Sequence, residues 1–105
     1  MNVLIIRFRL AGIDPASYEE LTTQVAPAIR QFPGVIGKAW LADAERNVYG
    51  GVYLFAERES VDTYLASEIG RSLQNSGLFK DVSIEIFDTI AAATEVTLPK
   101  AFAAV

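Results

Sequence analysis

Lys38 and Trp40 stand two residues apart, and so do Tyr53 and Phe55. In an extended chain, residues two apart share one face, so each pair sets its side chains next to one another. A cation among rings favours the ionised form of a nearby acid, and rings exclude water. Tyr64 adds a ring whose hydroxyl donates or accepts. Arg7 and Arg9 supply further cations, and Glu85 is a proton acceptor where burial raises its pKa. Each of these residues also has a purely structural reading. Arg7 or Arg9 can pair with Glu85 across a sheet, and Lys38 can lie on the Tyr53 ring as an ordinary cation–π contact. Trp40 suits a core or an interface, and Tyr64 suits a helix stripe. No carboxylate pair, phosphate-binding loop or nucleophile–base spacing accompanies them.

The missing residues narrow the chemistry. Among 105 residues there is no cysteine and no histidine. That removes the thiolate nucleophile, iron–sulfur and cysteine-type zinc sites, the usual general base and the usual haem or metal ligand. Chemistry falls to carboxylates, Lys and Arg, Tyr, Trp, backbone groups or the substrate itself.

The elements that must position these groups are legible from periodicity. Half of the residues are apolar and a fifth charged, so one packed domain is expected and disorder is not. Asn2–Leu10 alternates as a strand. Asp14 and Pro15 open a helix as cap and first residue, with Ser17 and Glu20 as a competing capping box. Tyr18, Leu21, Val25, Ile29 and Phe32 form its apolar stripe. Pro27 is expected to bend that helix or end it early. Val35–Asp43 and Val48–Ala56 read as a hairpin across Ala44–Asn47. Ser60 is expected to cap a second helix, with Val61, Tyr64 and Leu65 inward, a break near Gly70 and Leu73 beyond it. Val82–Asp88 closes the set. The order β-α-β-β-α-β is the ferredoxin-like arrangement: a four-stranded antiparallel sheet with strands one and three central and both helices on one face.

Alternation divides the strands into two sides. Leu4, Ile6, Phe8, Leu10, Val35, Ala39, Leu41, Val48, Val52, Leu54, Val82, Ile84 and Ile86 are assigned to the helices. Arg7, Arg9, Ile36, Lys38, Trp40, Tyr49, Gly51, Tyr53, Phe55, Ser83, Glu85 and Phe87 are assigned to the open face. Rings bury roughly 150–250 Å² each, more than a monomer ordinarily exposes together. A homodimer through the sheet face is therefore expected. Within the hairpin, Trp40 falls opposite or diagonal to Gly51, and Lys38 near Tyr53. Gly51 would give the indole room, and Gly50 would admit a large group from a helix, with Tyr64 the candidate. A plain β-bulge at the two glycines is the alternative.

The Gly34–Trp40 stretch with its Gly, Lys and Trp, then "GGVYLF" at 50–55, Tyr64-Leu65 and "IEIFD" at 84–88 resemble the YdhR-like monooxygenases. That family belongs to the dimeric α+β barrel superfamily, together with the antibiotic-biosynthesis monooxygenases, and the resemblance spans about residues 3–90. It implies a homodimer and a cofactor-independent monooxygenase, with no metal, acting with O2 on a small aromatic or polyketide-like molecule. On this reading Lys38, Trp40 and Glu85 are catalytic, and Arg7, Tyr53, Phe55 and Tyr64 bind substrate. The chemistry is that of a phenol which, once deprotonated, passes an electron to O2 inside a dry aromatic pocket. Relatives that degrade haem use a histidine that this chain lacks. The alternative is a non-catalytic dimeric domain that binds a small ligand or serves an accessory role.

Residues 1–90 form the expected domain. Residues 91–105 carry Val96, Leu98 and Phe102, too apolar for a free end. They are expected to pack on the partner subunit or to close the pocket mouth, a frayed terminus being the alternative. A net charge of −4 without any Lys/Arg cluster speaks against nucleic acid. The start, "MNVLIIRFRL", is broken by two arginines and does not read as a signal peptide. No apolar run reaches the ~20 residues of a membrane span, and a cytoplasmic protein is expected.

Overall fold

The computed structural model of the chain describes residues 1–99. Its elements run β1 (Asn2–Leu10), α1 (Pro15–Arg30), β2 (Val35–Asp43), β3 (Val48–Phe55), α2 (Arg58–Ala66), α3 (Glu68–Asn75), β4 (Phe79–Asp88) and α4 (Ala91–Thr97). The four strands make one antiparallel sheet in the order β2-β3-β1-β4. β3 and β1 are central, as the ferredoxin-like order requires.

Local chemistry explains most boundaries. Asp14 caps α1 by accepting from the Ser17 amide at 2.8 Å. Pro27 does not end α1. It sits in the last turn, with a single ladder bond lost, and the Gln31 amide donates to its carbonyl, so the helix runs on to Arg30. The second helix starts earlier than Ser60 suggests: Glu57 is its N-cap, with no side-chain cap bond. It is also broken at Ser67 rather than near Gly70, giving α2 and α3. Ser67 ends α2 in an extended conformation and caps α3, its hydroxyl accepting from the Gly70 amide at 3.2 Å. A Cβ on Gly70 would strike the carbonyls of Tyr64 and Leu65. Gly70 thus permits the sharp turn between the helices, which is why the break precedes it.

The hairpin pairs as expected, with Trp40 opposite Gly51 and Lys38 opposite Tyr53. Asn47, at a φ of 52°, closes its loop and ties it to β1. Its side-chain oxygen accepts from the Leu10 amide at 3.2 Å, and its amide group donates to the Leu10 carbonyl at 3.1 Å.

The side that this hairpin turns to the helices corrects the sequence-based assignment. Tyr53 lies opposite Leu4 in the β1–β3 ladder, and Leu4, Ile6, Phe8 and Leu10 face the helices. Tyr49, Tyr53 and Phe55 therefore belong to the core, with Lys38 and Trp40 on the same side of β2. Val52, Leu54, Ala39 and Leu41 take the open face instead. Both sides of the hairpin are apolar, so alternation alone does not choose between them. Area does, because rings remove more surface from water than valine and leucine. β1 and β4 face as expected. The open face then carries Val3, Ile5, Ala39, Leu41, Val52, Leu54 and Phe87, with Arg7 bonded to Glu85 and Arg9 to Asp81. Of the five rings expected there, Phe87 remains, 47% exposed.

β4 begins three residues before Val82. The register shifts between Arg7 and Arg9, opposite a stretch in which Asp81 has a φ of 52°. This bulge returns Phe79 to the helix side, its ring centre 4.5 Å from that of Phe8.

Of the tail, Ala91 and Thr94 of α4 and Leu98 just after it line a cleft with Met1 and Thr89, and Val96 is exposed. Phe102 lies outside the described residues. No described helix is long and apolar enough to cross a membrane.

Candidate functional site

A cleft opens between the sheet and its helices. Its floor is Phe8, Gly50 and Tyr53, and its roof is Val25 and Ile29 of α1 with Ile69 and Leu73 of α3. Tyr18 and Phe79 close the inner end, and Lys38 and Trp40 stand at the outer end, on edge strand β2. The free interior is about 80 Å³ and almost wholly apolar.

The two glycines have separate causes. Gly50 has a φ of 151°, and a Cβ there would meet the Ile6 carbonyl of β1. It marks a close approach of central backbones, not of a helix side chain. Gly51 lies under Lys38: a Cβ would strike the Lys38 stem and come within 3.2 Å of the Tyr53 ring. The residue given room is thus Lys38, not Trp40.

Laid along Gly51, Lys38 brings its ammonium 3.2 Å from the Trp40 ring centre and 4.3 Å from that of Tyr53. Its Nζ donates to the Tyr53 hydroxyl at 2.8 Å, and the hydroxyls of Tyr53 and Tyr64 are 2.8 Å apart. With Lys38 donating to Tyr53, the Tyr53 hydroxyl is free to donate onward to Tyr64. No carboxylate among the described residues lines this cleft or the neighbouring one between α1 and β2, which Lys38 and Trp40 share with Arg30. Ring faces and one hydroxyl replace only part of the water an ammonium loses, so burial pulls the Lys38 pKa down to about 7. Burial also raises Tyr53 and Tyr64, and Tyr18 to about 12, which keeps all three hydroxyls protonated at neutral pH. The site thus holds an amine that gains or loses a proton near neutrality, joined to two protonated phenols.

The structure brings Lys38, Trp40, Tyr53 and Tyr64 together around the cleft. Phe55 is fully buried behind them, its ring stacked with Tyr53 at 5.9 Å, and does not line it. Arg7 and Glu85 are not brought to the site. They bond each other on the open face, on the far side of the sheet from Lys38. Phe79, Ile69 and the inner wall made by Tyr18 were not marked by sequence as site residues. Tyr18 carried a signal in the α1 stripe, whereas Phe79 depends on the β4 bulge, which no local pattern announces. Among the described residues no cluster of acidic side chains is arranged to hold a metal ion.

A four-stranded antiparallel sheet of this order, with helices on one face and a ring-lined cleft beneath them, defines the ferredoxin-like α+β class. The chain belongs to the family described as "Putative mono-oxygenase ydhR", which matches residues 3–100. Solved structures share the fold at low identity. NE2512 of Nitrosomonas europaea, a protein of unknown function, superposes with a TM-score of 0.73 at 19% identity, over 93% of each chain. SnoaB of Streptomyces nogalater, a cofactor-independent oxygenase, gives 0.67 at 18%, over 84% of this chain and 91% of its own. MhuD of Mycobacterium tuberculosis, a heme degrader with two hemes in its active site, gives 0.66 at 15%, over 86% and 96%. No curated protein matches the chain.

Proposed function

We propose that the chain is a monooxygenase that uses neither metal nor flavin and acts with O2 on a small aromatic or polyketide-like molecule held in the ring-lined cleft. The observation that carries this reading is Lys38, an amine with no carboxylate partner among the described residues, 2.8 Å from the Tyr53 hydroxyl at the outer end of an apolar cleft. With a pKa of about 7, the amine takes a phenolic or enolic proton near neutrality. The resulting ammonium then stabilises the anion beside it. The anion passes one electron to O2, and the substrate radical and superoxide combine as a peroxide on carbon. Loss of water across the O–O bond leaves a carbonyl: a CH2 and O2 become C=O and H2O. Tyr53 and Tyr64 carry protons between Lys38 and the cleft, and Trp40 covers the amine from solvent. Membership of the family supports the class of activity, and the shared fold with SnoaB supports the absence of a cofactor. A haem-degrading role like that of MhuD is not favoured, because the chain has no histidine to serve as the usual haem ligand.

A second copy is proposed over the open face, whose aliphatic residues, rather than rings, are what need covering. Arg7 and Glu85 belong to that surface in this reading and take no part in the cleft.

The small interior favours one alternative, a dimeric domain that binds a small ligand without turnover. About 80 Å³ is roughly half of a cavity that admits benzene, so a substrate ring must lift part of the roof. That roof includes Ile69 and Leu73 of α3, a short helix separated from α2 at Ser67 and tied to it through the Ser67 hydroxyl. Oxygen uptake with a panel of hydroquinones and anthrones separates the readings. Turnover above buffer that falls in Lys38→Ala and Trp40→Phe supports the oxygenase. Turnover no better than buffer throughout favours the binding domain.

A further inference from the structure

We propose that Lys38 is also an imine-forming nucleophile, which captures small apolar aldehydes entering the cleft as reversible covalent adducts. The proposal rests on the geometry of the cleft and not on any reaction with oxygen.

Three observations carry it. First, Nζ is held by a phenol and two ring faces rather than by a carboxylate, so no ion pair must break before the amine attacks. Tyr53, Tyr64, Tyr18 and, from α1, Arg30 are the titratable groups that share its clefts, and among the described residues neither cleft that Lys38 lines has an acidic one. Such surroundings favour the free amine, the form that adds to a carbonyl. Second, Gly51 leaves the stem a bed and Lys38 lines both clefts from edge strand β2, so attack needs no rearrangement of the strand. Third, the Tyr53 hydroxyl lies 2.8 Å from Nζ and is itself 2.8 Å from Tyr64. Imine formation needs an acid at that place.

The step balances without an outside reagent. The amine nitrogen bonds the carbonyl carbon to give a carbinolamine. Its hydroxyl takes a proton relayed through Tyr53 and leaves as water, and the nitrogen gives up its remaining proton or stays as the iminium. Water reverses the sequence. The walls select the aldehyde: one apolar ring or a short alkyl chain, with no charged group, since none would find a partner except the amine that reacts.

The test is reductive trapping without oxygen. The protein is incubated at pH 7 with low concentrations of benzaldehyde and cyanoborohydride, which delivers hydride to an imine and fixes it as a benzylamine. Intact mass counts the benzyl groups, and peptide mapping places them. We expect Lys38 to be labelled at least about tenfold faster than Lys80, an exposed lysine on β4, from the larger free-amine fraction at Lys38. Tyr53→Phe should slow labelling at Lys38 while leaving Lys80 unchanged, and an aldehyde bearing a carboxylate should be trapped less well. Labelling of Lys38 no faster than Lys80, or Lys38 labelling indifferent to Tyr53→Phe, overturns the proposal. Oxygen is absent, so trapping can succeed where oxygen uptake fails, and the reverse.

Discussion

The Lys38 ammonium lies 3.2 Å above the centre of the Trp40 ring, and the two residues stand side by side at the outer end of the cleft. Trp40 is the sole tryptophan, 38% exposed, so its emission reports on the charge above it. Between pH 5 and 9 the emission should change in one step centred near pH 7, where Lys38 loses its proton. Lys38→Met should flatten the curve. A flat profile in the wild type, or a step that survives the substitution, would show that Lys38 stays charged through neutrality.

The same group sets how stability depends on pH. Lys38 falls from 10.5 to about 7 on folding, so between those values the unfolded chain binds more protons than the folded one. Stability then rises with pH across that window and is lost as pH falls towards 7. The raised tyrosines act oppositely and only above about pH 10, where unfolded phenols ionise and buried ones do not. Urea midpoints measured from pH 7 to 9.5 should therefore increase in the wild type and increase less in Lys38→Met. Parallel slopes for the two proteins would contradict the burial of the amine.

Gly50 and Gly51 should respond differently to the same change. Gly50→Ala forces a Cβ into the Ile6 carbonyl at a backbone angle that L-residues avoid, and strain plus overpacking should cost roughly 2–4 kcal/mol. Gly51→Ala displaces chiefly the Lys38 stem, a flexible chain, and presses lightly on the Tyr53 ring edge, so it should cost about 1 kcal/mol. Its larger effect should be on Trp40 emission, because the ammonium must leave the ring. Denaturation curves and fluorescence for both variants check the pair. Equal stability losses would mean that the two glycines share one cause.

Much of this arrangement was legible before the structure. The β-α-β-β-α-β order, the Asp14 cap and the pairing of Lys38 with Tyr53 and Trp40 with Gly51 all follow from local pattern. The side to which the hairpin turns does not. Val52 and Leu54 on one side and Tyr53 and Phe55 on the other are both apolar, and only packing against α1 and α2 decides between them. The helix break at Ser67 was hidden for a related reason: the hydrogen bonds that fix it involve Tyr64 and Gly70 across two helices. Of the residues that the sequence singles out, Lys38, Trp40, Tyr53 and Tyr64 lie together along one cleft, whose place under the helices no local pattern gives. Arg7 and Glu85 were separated from them because the facing of the hairpin was reversed.

The reversal also changes what should hold two copies together. A ring-covered sheet would have made a rigid aromatic interface. The face observed is aliphatic, built on Val3, Ile5, Ala39, Leu41, Val52 and Leu54, with the Arg7–Glu85 and Arg9–Asp81 pairs towards β4. Sheet-on-sheet packing of such a face removes aliphatic surface from water without needing ring geometry. A stable pair requires about 800 Å² from each partner, which a four-stranded face can supply. Sedimentation at micromolar concentration should give twice the chain mass of 11.4 kDa. Val52→Glu, central on the face and remote from the cleft, should halve that value while leaving the Trp40 emission step in place. A wild-type particle of one chain mass, soluble and folded, would remove the dimer, whereas the site beneath the helices, built from one chain alone, would stand.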